Sequence, residues 1–198
     1  MLEYDEKKLV QQLGSLSRQK LVVFALRPAE SLFPCFSRYA RRTGSTSDAD
    51  LRRILDRAWD WVSQDALSQR EAGELLDLCM TLIPDEDQAT EAGEPYAEDA
   101  GAAAAYVLRT ITSGSPQEAA YAARRAYEAM DHFAERQMEQ GLAPHPADQP
   151  SYAHPFVQRE LTRQQALIER LARSNLTAQE MAEVLRLEFQ AEAGDFLP

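Results

Sequence analysis

The sequence predicts an all-α protein, one domain over residues 1–198 built from about eight helices joined by short turns, with no β-sheet. Apolar residues recur at intervals of three and four through most of the chain, as on the buried stripe of an amphipathic helix. Several segments open on a serine or threonine with a glutamate three positions later, which is the capping-box pattern. No window alternates β-branched and polar residues over the length of a strand. We expect residues 194–198 to form a loose tail.

The stretch Ser47–Leu67 carries the clearest helical pattern and is expected to be the central packing helix. Its apolar residues, among them Leu55 and Trp59, recur on one stripe, so we expect Trp59 to be buried. Ser47 is expected to cap this helix, with Asp50 reaching back toward it. Polar residues occupy the rest of the circumference: Arg52, Arg53, Asp56, Arg57 and Asp60.

Two shorter helices are expected before this stretch, and a third segment leads into it. Asp5–Leu13 forms the first helix, and Ser17 opens the second. The run Leu21–Leu26 is apolar on every side, which indicates a helix enclosed by several others. Pro28 is expected to stop or kink this helix, because proline lacks the amide donor and clashes with the preceding turn. The helical pattern then resumes over Ser31–Arg42.

Capping signals place the helices of the middle of the chain. A capping box at Ser68 opens one helix, and the acidic segment Asp85–Glu94 that follows it is expected to be a loop. The next helix, about Pro95–Thr112, is rich in alanine and should allow a neighbouring helix to approach closely. Ser115 caps a long helix that ends near Gly141. The proline-rich stretch Leu142–Pro155 is then expected to be an extended surface connection.

Two further helices end the chain, and each has one apolar stripe. The penultimate helix carries its stripe from Val157 to Leu171. Thr177 and Glu180 form a capping box at the start of the last helix. We expect the last helix to carry one line of residues along its packed side: Met181, Val184, Leu185 and Glu188.

The charge distribution argues against binding to nucleic acid. Residues 1–60 hold 11 Lys and Arg against 8 Asp and Glu, whereas residues 61–198 hold 10 against 24, for a net charge of −11. A nucleic-acid-binding protein concentrates positive charge on one face. The basic cluster of the first third alternates with acids and is the least favoured candidate site: Arg38, Arg41, Arg42, Arg52 and Arg53.

Several features of the sequence favour a cytoplasmic protein. No apolar run reaches the roughly 20 residues needed to span a bilayer, and the acidic N-terminus does not resemble a signal peptide. We therefore expect no membrane association. Cys35 and Cys79 lie among apolar residues with no CxxC pattern, so we expect two reduced, buried thiols.

One helix face carries residues that could ligate a metal. Glu128, His132 and Glu135 follow the spacing of a single helix face, and Glu139 continues it. Histidine with carboxylates is a known ligand set for divalent metals, but di-metal bundles use the order Glu-x-x-His on paired helices. A solvated acidic face explains the pattern equally well.

No sequence motif for a cofactor is present, so we expect none. The chain lacks a glycine-rich phosphate loop, GxSxG, HExxH and a dinucleotide-binding fingerprint. His145 and His154 are expected to be surface groups in the proline-rich connection. Asp99 stands at the start of the alanine-rich helix, where it should interact with the helix dipole or with an arginine such as Arg53.

Certain short runs, taken together, resemble a known family over nearly the whole chain. The run Arg52-Arg53-Ile54-Leu55-Asp56 followed by Trp59 is the most specific, and Asp85–Tyr96 matches least well. The other matching positions are Phe24-Ala25, Pro34, Tyr39, Thr43-Gly44, Ile83-Pro84, Asp99-Ala100, Pro155-Phe156-Val157-Gln158 and Glu160. The chain resembles the YjaG-like bacterial proteins, domain of unknown function 416. The resemblance implies a small, cytoplasmic, all-helical protein without an assigned activity, and it supplies no catalytic residues.

Two functions from different classes follow from the sequence. The leading interpretation is a non-enzymatic protein that binds another protein, either a basic partner steered by the acidic surface or a second copy in a homodimer. The alternative is a metal-assisted enzyme built on Glu128, His132 and Glu135. We expect Arg52, Arg53, Leu55, Asp56, Trp59 and Asp99 to have structural roles.

Overall fold

Nine α-helices and one short 3-10 helix make up the part of the chain that the structure describes, residues 1–64, 66–141 and 150–194 of a computed structural model. No strand occurs among these residues, and the predicted all-α class is confirmed. Residues 142–149 of the expected connection and residues 195–198 of the expected tail lie outside the described residues. The helices are α1 Glu6–Leu13, α2 Arg18–Thr43, α3 Ser47–Gln64, α4 Gln69–Leu82, α5 Glu86–Glu91, α6 Ala97–Ser113, α7 Pro116–Glu139, α8 Pro155–Arg173 and α9 Ala178–Ala193, with the 3-10 helix at Ser151–Ala153.

Helix α2 lies at the centre of the fold and packs against α3, α6, α7 and α9. Of the two outcomes expected at Pro28, a stop or a kink, the stop is wrong, because one helix of 26 residues runs through both Pro28 and Pro34. Each proline removes a backbone hydrogen bond, at a cost of about 3 kcal/mol in an isolated helix. Apolar side chains on both sides of Pro28, from Leu21 to Phe36, are buried by the surrounding helices, and this packing keeps the helix continuous.

Helix α3 buries the stripe that the sequence predicts, and Trp59 is only 1% exposed. The expected cap at Ser47 is wrong. The Ser47 amide donates to the Ser45 hydroxyl oxygen at 3.1 Å, so the serine two positions earlier satisfies the first turn. Asp50 pairs with Arg53 at 3.0 Å instead of reaching back to Ser47.

Other helix starts follow the predicted caps. Ser68 and Thr177 each form a complete capping box, and Ser115 accepts a hydrogen bond from the amide two residues later. A short helix, α5, lies inside the segment that was expected to be a loop. His154 also departs from expectation, because it is buried and its Nδ1 accepts from the Phe156 amide at 3.3 Å, which caps α8.

Small residues let α6 lie close to its neighbours, as predicted. Helix α6 packs against α2, α4 and α7 through a face of buried alanines. A Cβ atom at Gly101 would lie 2.9 Å from Cγ1 of Ile83, which is closer than side chains approach without displacement. Glycine at position 101 therefore permits this contact between α6 and the end of α4.

The buried apolar residues form one continuous cluster to which every α-helix contributes. Cys35 and Cys79 are both free and buried in it, as predicted. Burial raises the pKa of each thiol to about 12, so both stay protonated at neutral pH. Among the described residues, no helix has the length and apolar character needed to cross a membrane.

Candidate functional site

The most specific run of the sequence, Arg52 to Trp59, forms a buried charge network with α2. The Glu30 carboxylate is buried and accepts two hydrogen bonds from Arg52, at 2.6 Å to Oε2 and 2.7 Å to Oε1. Nε1 of Trp59 donates to Oε1 at 2.8 Å. A buried carboxylate is stable only when its oxygens are paired in this way. The network is therefore a structural link between α2 and α3.

Asp56 extends this network to the last helix. Its Oδ1 accepts from Nε of Arg52 at 2.8 Å and from Nη2 of Arg186 at 2.6 Å. Asp56 thus joins α3 to α9 through Arg186. Arg53 has no part in the network, because its side chain is 62% exposed and its partner is Asp50.

A second buried ion pair, which the sequence analysis did not single out, joins α2 to α8. Nη1 of Arg27 donates to both carboxylate oxygens of Glu160, at 2.5 and 2.6 Å. Gln164 donates to Oε1 of Glu160 at 2.8 Å and to the carbonyl of Ala123 at 3.1 Å. The pairing crosses 133 residues of sequence, so no local pattern marks it.

Asp99 lies in the first turn of α6, as predicted, but its partner is Arg125 and not Arg53. The distance from Arg125 Nη1 to Asp99 Oδ1 is 3.4 Å, and the Asp99 side chain is 13% exposed. Burial raises the pKa of Asp99 to about 6, although the positive charge of Arg125 acts in the opposite direction. Asp99 is thus a buried carboxyl whose charge is incompletely compensated.

The candidate metal ligands share one face of α7, but arginines hold the first of them. Glu128 pairs with Arg124 at 2.7 Å and with Arg125 at 3.5 Å. His132 and Glu135 are exposed. Among the described residues, no group of three or more His, Cys, Asp or Glu side chains is placed to hold a metal ion. The metal site stays a prediction, and His132 lines an open cavity of about 200 Å³ together with Glu86, Glu135 and Glu139.

Carboxylates or a backbone carbonyl engage the arginines of the least favoured candidate, a nucleic-acid site. Arg38 and Arg42 both pair with Glu94, at 3.0 and 3.2 Å. Arg41 donates to the carbonyl of Ser37 at 3.3 Å. Arg52 pairs with Glu30 and Arg53 with Asp50, so each of the five side chains has an acceptor within the protein.

The outer side of α9 differs from the predicted packing. Met181, Leu185 and Phe189 fill the core, whereas Val184 is 47% exposed and Leu187 is 70% exposed. The expectation that Val184 lies on the packed line is therefore wrong. Val184, Leu187 and Ala191 follow the spacing of three and four on the solvent side, and we call these three residues the α9 outer face. The signal was in the sequence, because α9 carries two apolar lines and only one of them can face the core.

Carboxylates flank the α9 outer face on both sides. Glu183 is exposed and accepts a hydrogen bond from Gln179 at 2.9 Å. Glu188 pairs with Arg170 of α8 at 2.6 Å. Positions 183 and 188 are the g and e positions of a heptad whose a and d positions are 184 and 187, so the face combines an apolar seam with acidic edges.

Comparisons with known proteins agree with this architecture. Residues 8–194 match the family described as "Protein of unknown function (DUF416)". The fold is similar to the 1.91 Å crystal structure of a DUF416 family protein from Shewanella baltica OS155, with a TM-score of 0.73, 15% identity and coverage of 91% of this chain and 92% of that one. No curated protein matches the sequence. Because the family match extends over nearly the whole length, the chain belongs to the DUF416 family.

Proposed function

We propose that this chain is a cytoplasmic, non-catalytic protein that acts by binding another protein through the α9 outer face. The observation that carries the proposal is the exposure of Leu187, at 70%, beside Val184 on one side of a helix whose opposite side fills the core. A leucine side chain that becomes buried gains about 1.5–3 kcal/mol. The α9 outer face therefore offers binding energy to a partner that covers it.

The flanking charges indicate the kind of partner. An amphipathic helix that packs along Val184 and Leu187 would place its own e and g positions next to Glu183 and Glu188. A basic residue of the partner would pair with Glu183, which has no ion pair among the described residues, whereas Glu188 already pairs with Arg170. A second copy of α9 would bring the same carboxylates to its own edges. The proposed partner is therefore an amphipathic helix with basic edges in a different protein.

Two further observations support the location and the absence of catalysis. Cys35 and Cys79 are free and buried, which suits a reducing compartment. The buried carboxylates Glu30 and Glu160 have arginine partners within 2.7 Å, so they serve packing between helices.

In an acidic chain with a net charge of −11, electrostatic steering also favours a basic partner.

A pull-down with matched variants tests the proposal. The bait is the full chain, compared with Leu187→Gln on α9 and with Met80→Gln on α4, a control in which the apolar side chain is 49% exposed. We expect one protein to be retained by the wild type and by the control but lost with Leu187→Gln. The retained protein is then purified, and its Kd is expected to rise at least tenfold with Leu187→Gln.

The salt dependence of the purified complex completes the test. Added salt should weaken binding, and Glu183→Gln should make the salt dependence shallower because it removes one pairing charge. The proposal is wrong if Leu187→Gln retains the same proteins as the wild type. It is also wrong in its choice of partner if the purified chain is a dimer that Leu187→Gln converts to a monomer.

A further inference from the structure

A second surface, independent of α9, lies where the ends of α2 and α7 meet the start of α6. An open cavity of about 430 Å³ is lined there by the last turns of α2 and α7 and by the loop from α5 to α6. We call it the α6 cleft. The charged and aromatic side chains that line it are Arg38, Arg42, Glu94, Tyr96, Phe133 and Arg136.

The α6 cleft is positively charged in a chain that is strongly negative. Three guanidinium groups, of Arg38, Arg42 and Arg136, line it together with one carboxylate, Glu94. Two positive charges therefore remain uncompensated among the residues that line it. A phosphate monoester carries about −1.5 to −2 charges at neutral pH, which matches this excess.

Glu94 and Gly93 hold two of the arginines in place. The buried Glu94 carboxylate accepts from Nε of Arg38 at 3.0 Å and pairs with Nε of Arg42 at 3.2 Å. Nη1 of Arg42 also donates to the carbonyl of Ala92 at 3.0 Å. Gly93 has φ +72°, and a Cβ there would lie 2.5 Å from Nη1 of Arg42, so glycine leaves room for the guanidinium. Arg38 is held through Nε and Arg42 through both Nε and Nη1, so the orientation of each guanidinium is fixed before any ligand binds.

Arg136 and Tyr96 supply donors that the protein itself does not use fully. Arg136 makes no ion pair with a carboxylate in the part of the chain that the structure describes. The Tyr96 residue is only 8% exposed, yet its hydroxyl has no hydrogen-bond partner of normal geometry among the described residues. Burial raises the pKa of Tyr96, while the positive charge of Arg136 and its contact with the hydroxyl oxygen act in the opposite direction. The hydroxyl therefore keeps its proton and is available as a donor.

The position of Tyr96 brings a helix terminus to the same place. Tyr96 is the N-cap of α6, a helix of 17 residues, and no side chain caps this end. The first turn of α6 also carries Glu98 and Asp99, whose negative charges offset the positive end of the helix dipole, so the positive charge of the cleft comes from its arginines. Phe133 gives the cleft an apolar wall, packed edge to face against Phe156 at 5.1 Å.

We propose that the α6 cleft binds a small phosphate-bearing molecule, with the phosphate held by Arg136, Arg42 and the Tyr96 hydroxyl. Glu94 acts as a positioning residue that orients Arg38 and Arg42. The apolar wall at Phe133 accommodates the organic part of the ligand. Glu86, Glu135 and Glu139 line the neighbouring cavity that shares Tyr96 and Arg136, and their negative charges disfavour an anion on that side.

An alternative explanation is that Arg42 and Arg136 occur at helix C-termini because a positive charge interacts favourably with the helix dipole there. Arg41 offers a matched control, because it lies in the same last turn of α2 as Arg42 but does not line the α6 cleft. If the dipole alone accounts for the cluster, replacing Arg41 and replacing Arg136 will have the same effect on anion binding.

The test is titration of the full chain with inorganic phosphate by calorimetry, at constant ionic strength set with chloride. We expect one saturable site, a Kd at least tenfold higher in Arg136→Gln, and a Kd within twofold of the wild type in Arg41→Gln. Because Arg136 is exposed and makes no ion pair in the described structure, the melting temperature without phosphate should not change in Arg136→Gln. Acetate at the same ionic strength should bind at least tenfold more weakly, since it carries a single charge.

Tyr96→Phe separates ligand binding from folding. The variant removes only the hydroxyl, so phosphate binding should weaken several-fold while stability without phosphate is retained or increased. The proposal fails if phosphate does not bind, if Arg41→Gln weakens binding as much as Arg136→Gln, or if Tyr96→Phe binds phosphate like the wild type. Equal affinity for acetate and phosphate would overturn the assignment of a phosphate.

Discussion

Replacement of Trp59 by alanine tests the central role of α3. The side chain is 1% exposed, its ring lies 5.9 Å from that of Phe189, and its Nε1 donates to Glu30 at 2.8 Å. Truncation of a buried tryptophan removes apolar contacts and leaves a cavity, at a cost of about 3–5 kcal/mol. We therefore expect Trp59→Ala to lower the free energy of unfolding by that amount.

A second variant removes the hydrogen bond and keeps part of the packing. Trp59→Phe keeps one of the two fused rings and removes the N–H, and a hydrogen bond to a charged group contributes about 1.5–3 kcal/mol. Glu30 keeps both hydrogen bonds from Arg52 in this variant, so the carboxylate stays paired. We expect Trp59→Phe to cost about 2 kcal/mol, which is less than the loss in Trp59→Ala.

Equilibrium unfolding in urea, followed by circular dichroism, measures both effects. Arg53→Ala is the matched control on the same helix, because Arg53 is 62% exposed and pairs with Asp50 at the surface. Such a change is expected to alter stability by no more than about 0.5 kcal/mol. A loss below about 1 kcal/mol in Trp59→Ala would refute the burial of this side chain as the anchor of α3.

Three further predictions concern the core, a buried acid and the metal site. Because every α-helix contributes to one apolar cluster, unfolding of residues 1–198 should be a single cooperative transition, and separate transitions by fluorescence and circular dichroism would contradict one folding unit. Between its ordinary pKa of 3.8 and about 6, folded Asp99 holds its proton more tightly than the unfolded chain does, so its contribution to stability is lost as the pH rises through this range. Asp99→Asn should therefore raise the free energy of unfolding at neutral pH by about 1–3 kcal/mol, and this gain should shrink as the pH falls toward 3.8. Urea unfolding at several pH values measures the gain, and a gain that does not change with pH would refute the raised pKa of Asp99. Since two arginines hold Glu128, elemental analysis should find no stoichiometric divalent metal, and a metal lost in His132→Ala would overturn that expectation.

Local signals made the helices predictable from the sequence. Ser68, Ser115 and Thr177 each satisfy free amides within the next three residues, so the start of a helix is encoded where it occurs. The stripe of α3 repeats with the helical period and requires no knowledge of its neighbours. Pro28 was misjudged because the local cost of proline is outweighed by packing of α2 against four other helices.

The sites depend on contacts that no local pattern contains. Arg27 meets Glu160 across 133 residues, and Asp99 meets Arg125 across 26 residues, so only the packing of helices identifies these partners. Tyr96 looks unremarkable in the sequence, and its importance depends on burial beside Arg136. Val184 was assigned to the core because α9 has two apolar lines, and periodicity alone does not say which one is covered.

The two proposed surfaces have opposite charge, and this gives a way to separate them. Among the cations of residues 1–60, buried carboxylates engage Arg27 and Arg52, whereas Arg38 and Arg42 line the α6 cleft. The acidic edges of α9 attract a basic protein, whereas the α6 cleft attracts an anion. Phosphate at constant ionic strength should therefore occupy the cleft without displacing a partner from α9. If phosphate displaces the partner from both Arg136→Gln and the wild type, phosphate acts on the partner itself. If phosphate displaces the partner from the wild type alone, the two surfaces are coupled.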